Sequence, residues 1–274
     1  MEISKKNEKI FYLINIIFIA LFTFIWLIGD ILMPEFETAN IFQTIIMAIA
    51  AGIAGIFCIY LGIRYKLSTS TGKVWLLIGL GMFGWLIGDI IYSYYELYLD
   101  EPPFPSIADV FYLGAYLPLS LGLIIQTRVL EMKLKNSEKI MIGIIYAIIC
   151  IFVIITVLLL PIQDWYGGEA IPSEDLPSVI IGALYPIFDL ILLICVMVVL
   201  VKLRGGKINL AWILLIIGFL IMIFADILYN WKENVIGEAL NWEIYDLLFL
   251  FSYMFISMGA FSVIALLTRE FKET

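Results

Sequence analysis

Histidine does not occur in this chain of 274 residues. Its absence removes Ser-His-Asp catalysis, haem held through imidazole, and zinc sites built on histidine. Cysteine is nearly as scarce. Cys58, Cys150 and Cys195 stand singly in apolar runs without C-x-x-C spacing. Neither a disulfide nor a metal centre is implied, and small apolar packing residues fit all three. Charge is thin as well, with 15% charged residues against 63% apolar ones and a mean hydropathy of +1.05. That balance excludes an ordinary soluble domain of this length. Long polar connections are also missing. The longest, 161–177, leaves no room for a soluble catalytic domain, so neither an enzyme nor a cofactor is expected.

What the chain does contain is apolar segments of membrane-crossing length, about 20 residues each. Eight spans follow, at roughly 11–33, 41–63, 74–95, 107–127, 139–160, 178–201, 210–231 and 244–268. The expected fold class is all-α, a polytopic protein of the lipid bilayer. The opening "MEISKKNEK" followed by an apolar run has the outline of a secretory signal. The run is longer than a signal's core and ends in "GDILMPEFE" without a small-residue cleavage site, so it is expected to stay as a helix.

The charges sort by side. With these spans, fifteen of the sixteen Lys and Arg fall on one face, and only Lys232 lies opposite. The positive-inside rule then places both termini in the cytoplasm of a cell-membrane protein. Fifteen basic against six acidic residues leave the cytoplasmic face at +9. One basic against twelve acidic residues leave the outer face at −11. Such a face concentrates cations, although acids outside also simply mirror the inward basic bias. Six aspartates remain within or at the edges of spans: Asp30, Asp89, Asp109, Asp189, Asp226 and Asp246.

A repeat organises these acids. Offset by 137 residues, 75–125 aligns without a gap on 212–262, with fourteen identities in 51 positions. The polar matches carry the register: Asp89 with Asp226, Tyr92 with Tyr229, Glu96 with Glu233, Glu101 with Glu238, Asp109 with Asp246, Tyr116 with Tyr253, and Ser120 with Ser257. Trp75 matches Trp212, Gly81 matches Gly218, and Gly122 matches Gly259. The expected units are two parallel four-helix repeats, 1–136 and 137–274, related by a pseudo-twofold axis along the membrane normal. "WLIGDI" occurs at 26–31 and 85–90, but only the second copy lies in this register, matched by "FADILY" at 224–229. Asp30 in the first copy is expected to reach water at the outer interface.

Helical spacing groups the polar residues further. Trp85, Asp89, Tyr92 and Glu96 share one stripe, and Asp226, Tyr229 and Glu233 repeat it. Asp109, Tyr116 and Ser120 share a face in the fourth span, as Asp246, Tyr253 and Ser257 do in the eighth. These stripes should face the bundle interior, since an aspartate facing lipid costs about 2.5–3.5 kcal/mol. Three readings stay open. The acids accept hydrogen bonds from Tyr and Trp, or cap helices, and fix packing. In "PSIAD", Ser106 can be the N-cap and Asp109 the first-turn acid. Alternatively they line an outward-facing pocket for a cation or small ligand, or they exchange protons. Asp189 follows Pro186 in the sixth span, where an interrupted helix beside an acid suits a cation site, and a kink with the acid packed on Tyr185 is the plainer reading. The G-x-G-D pattern of intramembrane aspartyl proteases is not met, because Leu86 stands at its first glycine.

"PFPSIADVFYLGAYLPLSLGL" at 103–123, preceded by "GWLIGDIIYSYYE", resembles a multi-helix membrane input region. Such regions stand at the N-terminus of many bacterial diguanylate cyclases, cyclic-di-GMP phosphodiesterases and sensor kinases. The resemblance implies a sensory membrane module. With only six residues after the eighth span, the expectation is a module without its own output domain that signals through a cytoplasmic partner. The expected function is a sensor-type module that binds a small ligand or cation from outside. Asp89, Tyr92, Asp226 and Tyr229 would line its site, with Asp109, Tyr116, Asp246 and Tyr253 beside them. The alternative is a cation- or proton-coupled transporter using the same acids and Asp189. No nucleic-acid partner is expected, and whether a metal binds is left open.

Overall fold

The computed structural model describes Leu13, Ile162, Gly167 and residues 17–28, 36–160, 170–203, 210–231 and 244–270. All regular structure among these residues is helical. Helices are what a membrane demands, because they satisfy every backbone N–H and C=O within one segment. The elements are α1 (Ile17–Ile28), α2 (Phe36–Arg64), α3 (Ser70–Tyr94), α4 (Ile107–Val129), α5 (Asn136–Val153), α6 (Leu176–Leu203), α7 (Leu210–Trp231) and α8 (Ile244–Glu270). Single π-helical turns extend α3 over Tyr95–Leu99 and α5 over Ile154–Leu159. Helices α2 to α8 are each long and apolar enough to cross a bilayer, and the described part of α1 is shorter. The chain is therefore a multi-pass membrane protein. The first expected span is described only in part. Asp30, Glu233, Glu238 and both termini lie outside the described residues.

The helix ends follow local side-chain chemistry. Thr69 caps α3, its hydroxyl accepting from the Gly72 N–H at 3.0 Å. Ser106 and Asp109 form a reciprocal capping box at the start of α4, as the "PSIAD" stretch predicts. Lys202, in the last turn of α6, donates its ammonium to the Thr127 and Leu130 carbonyls where α4 ends. A cation is favoured there because the last carbonyls of a helix lack partners and carry its negative dipole end. Phe104, in the loop before α4, lies beside Gly182 near the start of α6. The two contacts fix α4 and α6 as parallel neighbours.

Packing closes a ring: α2 on α3, α3 on α4, α4 on α6, α6 on α7, α7 on α8, and α8 back on α2. Helix α5 stands outside this ring against α6. Its Ile140, Ile144, Ile148, Ile151 and Ile155 remain exposed along one helical stripe, as suits a lipid-facing helix. Across the ring the Trp75 and Trp212 indoles meet at 5.4 Å between centroids. Ile78, Met82, Leu215 and Phe219, further along the same two helices, are buried as well.

Close helix contacts depend on missing side chains. A Cβ at Gly81 would stand 2.3 Å from Leu119 Cγ, and one at Gly218 would stand 2.7 Å from Ile256 Cγ1. Small residues let backbones approach where lipid supplies no hydrophobic drive between helices. Helix α6 differs from the interrupted helix considered above. It runs unbroken from Leu176 to Leu203 through Pro186. Proline removes only the N–H that would serve the Gly182 carbonyl, and packed neighbours hold the remaining turns in place.

Gly81→Val should destabilise the protein by about 1–3 kcal/mol through overpacking against Leu119. Gly114→Ala, where a Cβ would meet nothing within 4 Å, should leave stability unchanged or slightly higher. Thermal unfolding of the two variants in detergent measures the difference, and equal melting temperatures would contradict this packing.

Candidate functional site

The polar residues of α3, α4, α6, α7 and α8 converge inside the ring. Asp89, on α3, accepts from two phenols. The Tyr112 hydroxyl donates to its Oδ1 at 2.9 Å, and the Tyr253 hydroxyl donates to its Oδ2 at 3.3 Å. Tyr112 comes from the neighbouring α4, whereas Tyr253 comes from α8. On the other side Tyr116, from α4, places its hydroxyl 2.6 Å from Asp189 Oδ1 and 3.2 Å from Asp226 Oδ2. One phenol proton thus serves two carboxyl groups, and the shorter contact goes to Asp189.

Aromatic packing fixes the positions of these donors. Trp85, four residues before Asp89, stands edge-on to Tyr116 at 5.9 Å and lies 6.4 Å from Tyr253. Phe188 stacks on Tyr116 at 5.6 Å. A phenol wedged between rings loses little further freedom when it donates, so its hydrogen bond is directed rather than sampled. Backbone carbonyls beside the acids are engaged too. Ser93 Oγ donates to the Asp89 carbonyl and Asn230 Nδ2 to the Asp226 carbonyl, each at 2.8 Å.

Burial differs among the acids. Asp189 is sealed, with 1% of its surface exposed, and its Oδ2 has no hydrogen-bond donor. Asp89 and Asp226 are half-buried. Among the described residues no Lys or Arg contacts any of these three carboxyl groups, and no group of three His, Cys, Asp or Glu side chains is arranged to hold a metal ion.

The remaining expected residues are distributed around this cluster. Asp109 spends both oxygens on structure: Oδ2 accepts from the Ser106 N–H at 2.7 Å and Oδ1 accepts from the Tyr185 hydroxyl at 2.5 Å. Tyr185 therefore serves Asp109, and the phenol on Asp189 is Tyr116. Tyr229 packs edge-on against Tyr245 at 5.1 Å. Asp246 lies half-buried in the first turn of α8, and Tyr92 is half-buried on α3. Tyr112 belongs to the network but escapes the repeat, because its counterpart is Phe249. Its position four residues before Tyr116, on the same face of α4, was the available signal.

Compared with known proteins, this polytopic helical membrane chain matches no family model, no curated protein and no solved structure.

Tyr116→Phe should cost about 1–3 kcal/mol, the range for leaving a buried acceptor without its donor. It leaves Asp189 without a side-chain donor, whereas Tyr112→Phe still leaves Asp89 its bond from Tyr253. The second variant should therefore lose less. Unfolding curves for both in detergent check the order, and a larger loss for Tyr112→Phe would contradict these assignments.

Proposed function

We propose that this chain is a sensor-type membrane module that takes up a small cation from the outer side at Asp89 and Asp226. One observation carries the reading: among the described residues, phenols are the only side-chain groups that donate to the three carboxyl groups in the ring interior. Hydroxyls solvate a carboxylate but do not neutralise it, and uncompensated charge in a low-dielectric interior is costly. The cluster is completed by a positive guest. Asp89 and Asp226 are its half-buried members, with Trp85, Tyr112, Tyr116 and Tyr253 around them, and aromatic faces beside carboxylates suit a cationic ligand. Asp109 drops out of this binding set, because both its oxygens are occupied.

The same reading includes two parallel four-helix halves with their basic ends in the cytoplasm and α1 as the first of eight spans. The crossed bonds support the duplication. Tyr116 reaches Asp226, and Tyr253, 137 residues further on, reaches Asp89, 137 residues before Asp226. Such exchange of equivalent partners is the mark of a twofold arrangement. The contacts Gly81–Leu119 and Gly218–Ile256 obey the same offset, as do the bonds of Ser93 and Asn230. The Trp75–Trp212 contact fills the axis at the far end of α3 and α7, which leaves the acidic end for access. The sensory role rests on the likeness of "PSIADVFYLGAY" to membrane input regions, and a cytoplasmic partner would carry the signal.

A cation-coupled transporter is the second reading. Asp189 favours it, because it lies midway along α6 and extends the acid cluster inward from Asp226.

Melting temperatures in detergent, measured in sodium, potassium and tetramethylammonium chloride at equal ionic strength, test the site. One of these cations should stabilise the wild type, by about 2.7 kcal/mol at a hundredfold excess over Kd, and not the double variant Asp89→Asn/Asp226→Asn. Equal responses from both proteins would sink the site. Proteoliposomes then separate the two roles: a sensor binds without flux, whereas a transporter moves the cation and loses flux in Asp189→Asn.

A further inference from the structure

Asp189 presents an arrangement that the cation site does not explain. Its Oδ1 accepts from Tyr116 at 2.6 Å, but its Oδ2 is buried without a donor in a side chain only 1% exposed. Asp226 stands beside that carboxyl group, because the one Tyr116 hydroxyl lies 2.6 Å from Asp189 Oδ1 and 3.2 Å from Asp226 Oδ2. Two carboxylates cannot satisfy one another, since both are acceptors only. A contact between them calls for one hydrogen. Tyr116 cannot supply it, because its single phenol proton is already shared between Asp189 Oδ1 and Asp226 Oδ2.

We infer that Asp189 and Asp226 form a one-proton site, with the proton on Asp189 Oδ2 donated to the Asp226 carboxylate. The assignment satisfies the orphaned oxygen and leaves the sealed member of the pair neutral. The half-buried member keeps the charge, in line with the cost of burying an ion. When the proton leaves, Asp189 becomes a second carboxylate, and no proton remains between the pair. Asp226 is the more accessible partner, so the proton exchanges from its side.

Among the described residues, phenols and carboxyl groups surround the pair, and no Lys or Arg side chain bonds to it. From α4 the pair meets Tyr116, with Asp109 bonded to Tyr185 nearby. From α3 it meets the charge of Asp89, and from α8 the Tyr253 phenol. Tyr185 and Tyr229 stand on α6 and α7 themselves, at neighbouring positions. Towards α5, Tyr146 and Cys150 stand near Cys195 of α6, and Lys202 is engaged at the far end of α6. Each of these is a phenol, a thiol, a carboxyl group or a remote ammonium. The site is independent of the cation reading, since it requires only the ligand-free protein.

Infrared spectroscopy of the full chain in detergent, without added ligand, tests the proposal. At neutral pH the wild type should show the C=O stretch of a protonated carboxylic acid, shifting down in D2O. Asp189→Asn should abolish the band while keeping the fold, because the asparagine amide can donate to Asp226 as the acid does. Asp226→Asn should shift the band, and Asp246→Asn should leave it untouched. Absence of the band from the wild type, or its unchanged persistence in Asp189→Asn, overturns the site. If Asp189→Asn does not fold, raising the pH of the wild type decides: loss of the band with matching growth of carboxylate absorption supports the proposal, and a pH-invariant spectrum overturns it. Loss of cation stabilisation with the band intact would count against the cation reading alone.

Discussion

The constraint on which the rest depends is that a carboxylate in a membrane interior must accept hydrogen bonds from something. Water is excluded, lipid offers no donors, and an aspartate is too short to reach the interface. The chain meets the demand with tyrosine, a side chain whose ring packs like a core residue and whose hydroxyl donates. That choice fixes much of the architecture. Tyr112 and Tyr116, one turn apart on α4, reach to opposite sides of the ring interior: the first to α3, the second to α6 and α7. Tyr253 closes the circuit from α8 to α3. Five helices are thus tied by hydrogen bonds that lose their purpose if any one helix shifts its register.

Phenols rather than ammonium groups are the informative choice. A lysine or arginine beside each aspartate would neutralise it and leave an inert, internally paired core. Hydroxyl donors hold the acids in place without bringing a compensating charge. The contrast lies within the molecule. Asp109 takes a backbone N–H and a phenol in a capping box at the rim of α4, and there the role is structural. Asp189, with one oxygen bonded and one orphaned, has no comparable structural explanation.

Much of the frame was legible in the residues. Apolar runs located α2 to α8 to within a few positions, because seven membrane-length segments leave little room for other solutions. Helical spacing put Asp109, Tyr116 and Ser120 on one face, and all three are buried. The capping box was readable because Ser106 and Asp109 are three residues apart. The wiring was not readable. Which phenol meets which acid depends on contacts 23 to 164 residues apart in sequence, and periodicity carries no such information. Proximity along the chain misled at Tyr185, four residues from Asp189 yet bonded to Asp109 across the helix interface. Tyr112 was missed because its counterpart Phe249 lacks the hydroxyl, so the repeat shows no polar match at that position. Pro186 suggested a broken helix, but removing one N–H from a well-packed segment does not break it.

The Trp75–Trp212 contact has a geometric consequence for the acids. Asp89 lies fourteen residues beyond Trp75, and Asp226 fourteen beyond Trp212. At 1.5 Å per residue each arm is about 21 Å long. With the indoles as fulcrum, tilting α3 against α7 by about 3° moves an aspartate by about 1 Å at the end of that 21 Å arm. A displacement of that size parts a hydrogen bond already stretched to 3.2 or 3.3 Å, while the aromatic contact at the fulcrum hardly changes. The Tyr116–Asp226 and Tyr253–Asp89 bonds are therefore far more sensitive to the angle between α3 and α7 than the Trp75–Trp212 contact is.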